Sequence, residues 1–165
     1  MSLRFWLWNS VCHALIFVGF KKIDLTGTAD GRQLLANHPS IVKNVCLLLK
    51  DFQHSVAKDA SLILVNLSSD DGLVARLSSA ELGVIESSCS MVMDPNDKLA
   101  DPACMVLSNL TRTLQGSQEA YKFLAPKVQT LIDIFCNEKF NQQGAKLHYL
   151  GALFSNLSQL PEMRE

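Results

Sequence analysis

A chain of 165 residues, 48% of them hydrophobic, can bury roughly 70% of the surface its unfolded form would expose, so it can fold as one ordinary domain without staples. Its 15 basic and 16 acidic residues are scattered and leave a formal charge of −1, which excludes the electrostatic footprint of a nucleic-acid binder. The five cysteines, Cys12, Cys46, Cys89, Cys104 and Cys136, lie far apart without a C-x-x-C pair; they fit neither a disulfide framework nor a zinc site and read as apolar fillers in a reducing compartment.

The stretch "RFWLWNSVCHALIFVGFKK" imitates a signal peptide, with a basic residue ahead of an apolar run from Phe5 to Phe20. Asn9, Ser10 and His13 interrupt the run, no small-x-small cleavage site follows, and Lys21 and Lys22 stand where a neutral region belongs. As a helix it would span only ~24 Å, short of a ~30 Å hydrocarbon core, so no membrane span is expected. Phe5, Trp8, Val11, Cys12, Leu15, Ile16 and Gly19 instead form a stripe suited to packing on another helix.

From residue 23 the chain repeats itself. Leu25-Thr26, Leu67-Ser68, Leu110-Thr111 and Leu157-Ser158 recur at intervals of 42, 43 and 47 residues, the armadillo/HEAT length class. Asp30-Gly31, Asp71-Gly72 and Gly116 keep step with them. Three helices are predicted in each period. The first spans 30–37, 71–79 and 117–125; the second 39–50, 80–93 and 126–137; the third 55–67, 101–110 and 144–157. Pro39 and Pro126 suit a first helical turn, and Asp101-Pro102 reads as a cap followed by the first helical position. Val56, Ala60, Ile63, Leu64 and Leu67 in one third helix, and Ala103, Val106, Leu107 and Leu110 in the next, give each unit an apolar face that only a neighbouring unit can cover. The expected fold is all-α, an armadillo/HEAT-like right-handed solenoid of about three and a half repeats over residues 23–165. Residues 1–22 are read as an atypical apolar helix of separate origin, because Lys21 and Lys22 fall where Ile63 and Leu64 stand one period later.

Each third helix ends in an asparagine within Asn-Leu-Ser/Thr: Asn66, Asn109 and Asn156. The triplet is also an N-glycosylation acceptor, but a sugar needs exposure and export, whereas each asparagine is followed by a leucine in core phase. Armadillo proteins that read extended peptides use such an asparagine with a tryptophan one turn earlier; here Leu62, Met105 and Ala152 occupy that place. A structural role, in which the amide satisfies carbonyls at the helix end or the following turn, is therefore favoured over a ligand ladder.

Catalytic chemistry finds little support. Cys136 and His148 are the one sequence-near nucleophile and base, with no orienting acid or oxyanion motif. Asp94, Asp97 and Asp101 in "DPNDKLAD" lack the order of a calcium loop and read as caps. "KLHY" places His148 and Tyr149 on a third helix, either packed between repeats or facing a groove. No enzyme activity, cofactor or metal is expected.

Three segments, "LTGTADGRQLL" (25–35), "LADPACMVLSNLTR" (99–112) and "LHYLGALFSNLSQLPE" (147–162), closely resemble the eukaryotic Hgh family of armadillo-like proteins. The resemblance runs from Ile23 to Glu165. It implies a cytoplasmic, non-enzymatic cochaperone that assists folding of elongation factor 2 with the cytosolic chaperonin, with Asn66, Asn109, Asn156 and His148 as the groove residues. Family members continue beyond "LPEMRE" into further repeats, so weak binding is expected if the partner surface spans the full solenoid. The alternatives are an armadillo adaptor for another protein, and a secreted glycoprotein.

Overall fold

The computed structural model describes residues 22–51, 53–94, 96–140 and 145–163, all helical or in turns, with no strand among them. The helix expected over residues 1–22 lies outside them, apart from Lys22, which opens the first described helix. In chain order the helices are α1 (Lys22–Gly27), α2 (Ala29–Ala36), α3 (Pro39–Leu48), α4 (His54–Ser68), α5 (Asp71–Leu77), α6 (Val84–Met93), α7 (Ala100–Leu110), α8 (Leu114–Leu124), α9 (Val128–Cys136) and α10 (Ala145–Leu157).

The order of first, second and third helices follows the sequence period, with local departures. The second helix expected over 80–93 is divided: Ser79 caps a short 3-10 turn at Ala80–Leu82, Gly83 turns the chain with φ 62°, and α6 starts at Val84. Only a glycine enters that left-handed region without steric cost. Pro126 sits in a 3-10 turn, Ala125–Lys127, and α9 begins directly after that turn, at Val128. The cap of α7 is Leu99 rather than Asp101, so Pro102 stands at the third helical position, still among the N–H groups that have no partner within the helix. Helix α8 begins at Leu114 because Thr113 caps it.

The chain divides into two compact units, residues 1–73 and 74–165. In the first, α1 packs on α2 and α4, and α3 packs on α4. Leu25, Leu35, Val42, Val45, Leu48, Val56, Ala60, Ile63, Leu64 and Leu67 are buried there. In the second, α7 lies against α6 and α10, α6 also touches α8 and α9, and α9 meets α10. Its core holds Leu77, Val84, Val92, Ala103, Val106, Leu107, Leu110, Leu131, Leu150, Leu153 and Leu157. Every third-helix residue in apolar phase on α4 and α7 is thus inside. Cys46, Cys89 and Cys104 are buried fillers, whereas Cys136 is exposed at the end of α9.

One corner is built the same way in both units. The Thr28 hydroxyl donates to Leu25 O at 3.1 Å and accepts from Gly31 N at 3.1 Å. Eighty-five residues on, Thr113 donates to Leu110 O and accepts from Gly116 N, again at 3.1 Å. The first turn of the new helix therefore lies directly on a carbonyl at the end of the old one. A Cβ on Gly31 would stand 1.8 Å from Leu25 O, and one on Gly116 would stand 2.0 Å from Leu110 O. Gly72 is not their counterpart. Counted from the repeated leucine, the equivalent place falls on the buried Leu73, and a Cβ on Gly72 would meet only Asp70 Oδ1, at 3.2 Å. Asp70 takes the capping role, accepting from Gly72 N at 3.0 Å.

Urea unfolding of single alanine variants tests this corner. Gly31→Ala and Gly116→Ala should each lose about 1–3 kcal/mol through forced backbone displacement. Gly72→Ala should stay within about 1 kcal/mol of the parent.

Candidate functional site

Two of the asparagines, Asn66 and Asn156, each close a contact with an earlier helix of their own unit. In the first unit Asn66 Nδ2, on α4, donates to Thr26 Oγ1 at 2.9 Å. In the second unit Asn156 Nδ2, on α10, donates to Thr111 Oγ1 and to Ser108 O, both at 3.0 Å. The amide thus serves the helix end of the preceding period, 40 to 48 residues earlier, and not its own. The receiving threonines are the residues that follow the repeated leucine. Thr26 and Thr111 thus each receive the amide of an asparagine about one period further along the chain.

Local structure makes the receivers ready. Thr26 and Thr111 are buried. Thr111 Oγ1 donates to Leu107 O at 2.8 Å, which leaves its lone pairs to accept from Asn156, and Ser117 Oγ donates to Thr111 O at 2.6 Å. Arg32 closes the end of α1 by donating from one guanidinium nitrogen to Thr26 O at 3.1 Å and Gly27 O at 3.2 Å, while its Nε lies 3.5 Å from Asp70 Oδ2. Asn109 holds the corresponding position on α7 and is half-buried. The nitrogen that would carry a sugar on Asn66 or Asn156 is the one engaged in these bonds, and Leu67, Leu110 and Leu157 are inside. A glycan there would have to break the clasp.

The fourth candidate, His148, is exposed on α10, its ring edge-on to that of Tyr149 with centroids 5.5 Å apart. The structure therefore brings Asn66 to Thr26 and Asn156 to Thr111, and places His148 on a surface. Of the acidic trio, Asp94 Oδ1 accepts from Asn96 N at 3.0 Å and Asp97 Oδ1 from Leu99 N at 2.8 Å, so both brace turns. Asp101 instead faces the buried Lys146, whose Nζ is 3.8 Å from Asp101 Oδ1. Among the described residues no three His, Cys, Asp or Glu side chains converge as metal ligands. No helix among them is long and apolar enough to cross a membrane.

Cys89 on α6 and Cys104 on α7 are both pushed up to about 12 by burial, although the Lys146 charge pulls Cys104 the other way. A thiol with such a value is protonated at neutral pH and is a poor nucleophile. A surface concavity of about 380 Å³ lies between α8 and the C-terminal turn, lined by Gln115, Gln118, Glu119, Tyr121, Lys122, Leu160 and Glu162. Its walls mix apolar groups from Tyr121 and Leu160 with amides and charges of both signs.

Residues 91–165 match a family model described as a domain of unknown function, DUF383. The chain is 37% identical over 145 residues to a protein named HGH1 homolog from Danio rerio, covering 86% of this chain and 38% of that relative. It is 34% identical over 152 residues to the HGH1 homolog of Drosophila pseudoobscura pseudoobscura, covering 87% and 41%, and 33% identical over 144 residues to that of Xenopus laevis, covering 87% and 40%. The chain therefore spans about two-fifths of the length of these relatives.

Three measurements follow from the clasp and the thiols. Asn156→Asp puts a carboxylate against the carbonyl of Ser108, which cannot donate, so it should lose about 2–4 kcal/mol in chemical unfolding. Asn66→Asp should lose less, because one donated bond is removed there against two at Asn156; equal losses would contradict the assigned bonds. Cys89 and Cys104 should resist thiol reagents at pH 8 while Cys136 is labelled, as read by mass spectrometry. Unfolding returns the two buried thiols to an ordinary value near 9.0, so the unfolded chain loses its protons first. Their contribution to stability should be complete below pH 9 and decline as pH rises towards 12.

Proposed function

The chain belongs to the HGH1 family, and from that premise we propose that it is a non-enzymatic protein-binding scaffold of armadillo/HEAT-like repeats. The observation that carries this reading is the recurrence of one inter-period clasp, Asn66 to Thr26 and Asn156 to Thr111, together with the corner of Gly31 and Gly116. A unit that repeats both its turn and its cross-link is built for stacking, and stacked repeats present extended surfaces to other proteins.

The partner we propose is immature elongation factor 2, handled in the cytoplasm together with the cytosolic chaperonin. Folding intermediates of large proteins expose apolar surface and aggregate through it, and a scaffold that covers such surface would oppose that. Asn66, Asn109, Asn156 and His148 are the proposed contact residues. Both protons of the Asn156 amide are engaged, so this side chain would offer its Oδ1 to a partner N–H. His148, exposed beside Tyr149, is free of that restriction.

Immobilised chain and an immobilised full-length relative should both retain elongation factor 2 from eukaryotic lysate. Retention by the relative alone would overturn the proposal for this chain.

A further inference from the structure

The second helices present the same row to solvent in each period. With Val42, Ile85 and Val128 in register, 43 residues apart, Lys43, Leu47 and Lys50 correspond to Glu86, Ser90 and Met93 and to Gln129, Asp133 and Cys136. Spacing of i, i+4 and i+7 lines one side of a helix. Met93 is half-buried and the other eight are exposed, so the row points outward in the middle period as in the other two.

The chemistry of the row changes along the chain. In α6 it is acidic and polar, and in α9 the Gln129 side chain donates to Asp133 Oδ1 at 2.9 Å, a pairing along the helix surface. In α3 the middle place holds a leucine that is 53% exposed, with a lysine one turn to either side. Lys50 stands just past the end of α3, but Leu49 is still in the right-handed helical region and Lys50 N donates to Leu47 O at 3.4 Å, so the last turn carries Lys50 with it. No acidic residue occurs from Gly31 to Lys50. The next one, Asp51, is half-buried and accepts from Gln53 N at 2.8 Å, while Arg32 is turned to Thr26, Gly27 and Asp70. The row of α3 is therefore basic, apolar, basic.

An exposed leucine alone asks for no partner. Two lysines framing it set the sign of one. We propose that this row of α3 docks an acidic amphipathic helix of another protein, whose leucine or methionine rests on Leu47 and whose Glu or Asp one turn to either side reaches Lys43 and Lys50. The backbone of α3 is spent on its own hydrogen bonds, so it offers nothing for a strand to pair with, whereas a helix satisfies its own backbone. Lys43 and Lys50 stand ~10 Å apart along the axis, a spacing that residues seven apart on a second helix reproduce. The lysine stems would lie over the partner's apolar residue while their ammonium groups meet its carboxylates. One anchor and two exposed charge pairs make a small, transient contact. On the same row Glu86 of α6 and Asp133 of α9 would repel such a helix, which restricts it to α3.

This inference goes beyond the reading above and uses neither elongation factor 2 nor the groove asparagines, so the two fail separately. The probe is a capped, alanine-rich helical peptide with one leucine and a glutamate one turn to either side. Titrated into the full chain at low salt, it should give saturable amide chemical shifts around Leu47. Lys43→Glu and Leu47→Ser install the side chains that α6 carries on this row. Each should weaken binding about tenfold, and both should keep the parent melting temperature because the two sites are exposed. Physiological salt should weaken binding to the parent chain as well. Absence of saturable shifts, equal binding of a peptide with lysines for the glutamates, or binding that survives both substitutions would overturn the proposal. So would retention on phosphatidylserine vesicles, in place of the peptide, through the same two residues, because the occupant would then be a membrane surface.

Discussion

A half-buried amide must find partners, and that requirement joins α4 to α1 in the first unit and α10 to α7 in the second. Removing the amide of Asn156 from water is tolerable because Ser108 and Thr111 accept both of its protons. Apolar burial alone would leave the stripes of α7 and α10 free to slide past each other, since Leu, Val and Ala differ little in what they prefer to touch. Two directed bonds at the helix end admit one register. The same logic holds independently in the first unit, where Asn66 meets Thr26. Burial supplies most of the free energy, and the amide selects which arrangement receives it.

The glycine corner complements this. Its threonine ties the carbonyl of the finished helix to the first turn of the next, and its glycine permits the contact. The hydroxyl of Thr111, four residues beyond Leu107 and two before Thr113, belongs to both devices: it caps its own helix backward while receiving the next period's amide. Sequence economy follows, since a run of seven residues from Leu110 to Gly116 ends one helix, starts another and holds the bond to a third.

Much of this was legible in the sequence because its physics is local. Periodicity placed Val56, Ile63, Leu67, Ala103 and Leu107 inside, and they are inside. It also marked the asparagines as one position repeated. It could not show that their bonds point backward, since Thr26 and Asn66 meet only once two helices have packed. Gly72 was aligned with Gly31 by composition, but the corner turns on an offset from the leucine that differs by one residue. Asp101 resembled a cap, yet its environment is set by Lys146, 45 residues away. Cys136 reads as a core residue with the other thiols but is exposed, because residue type carries no information about the end of a helix.

The corners and the links between second and third helices differ in how much length they absorb. Between α1 and α2, α4 and α5, and α7 and α8 the chain has only one to three residues; between α3 and α4, α6 and α7, and α9 and α10 it has five, six and eight. The links between second and third helices thus lengthen from five to eight residues as the period grows from 42 to 47. An evolutionary insertion, or a fluorophore-bearing peptide grafted near Glu138 and Lys139, would lengthen a link whose ends are not welded by a hydroxyl and a carbonyl, whereas the same graft at Gly27 or Arg112 would separate the two helices that those groups hold in contact.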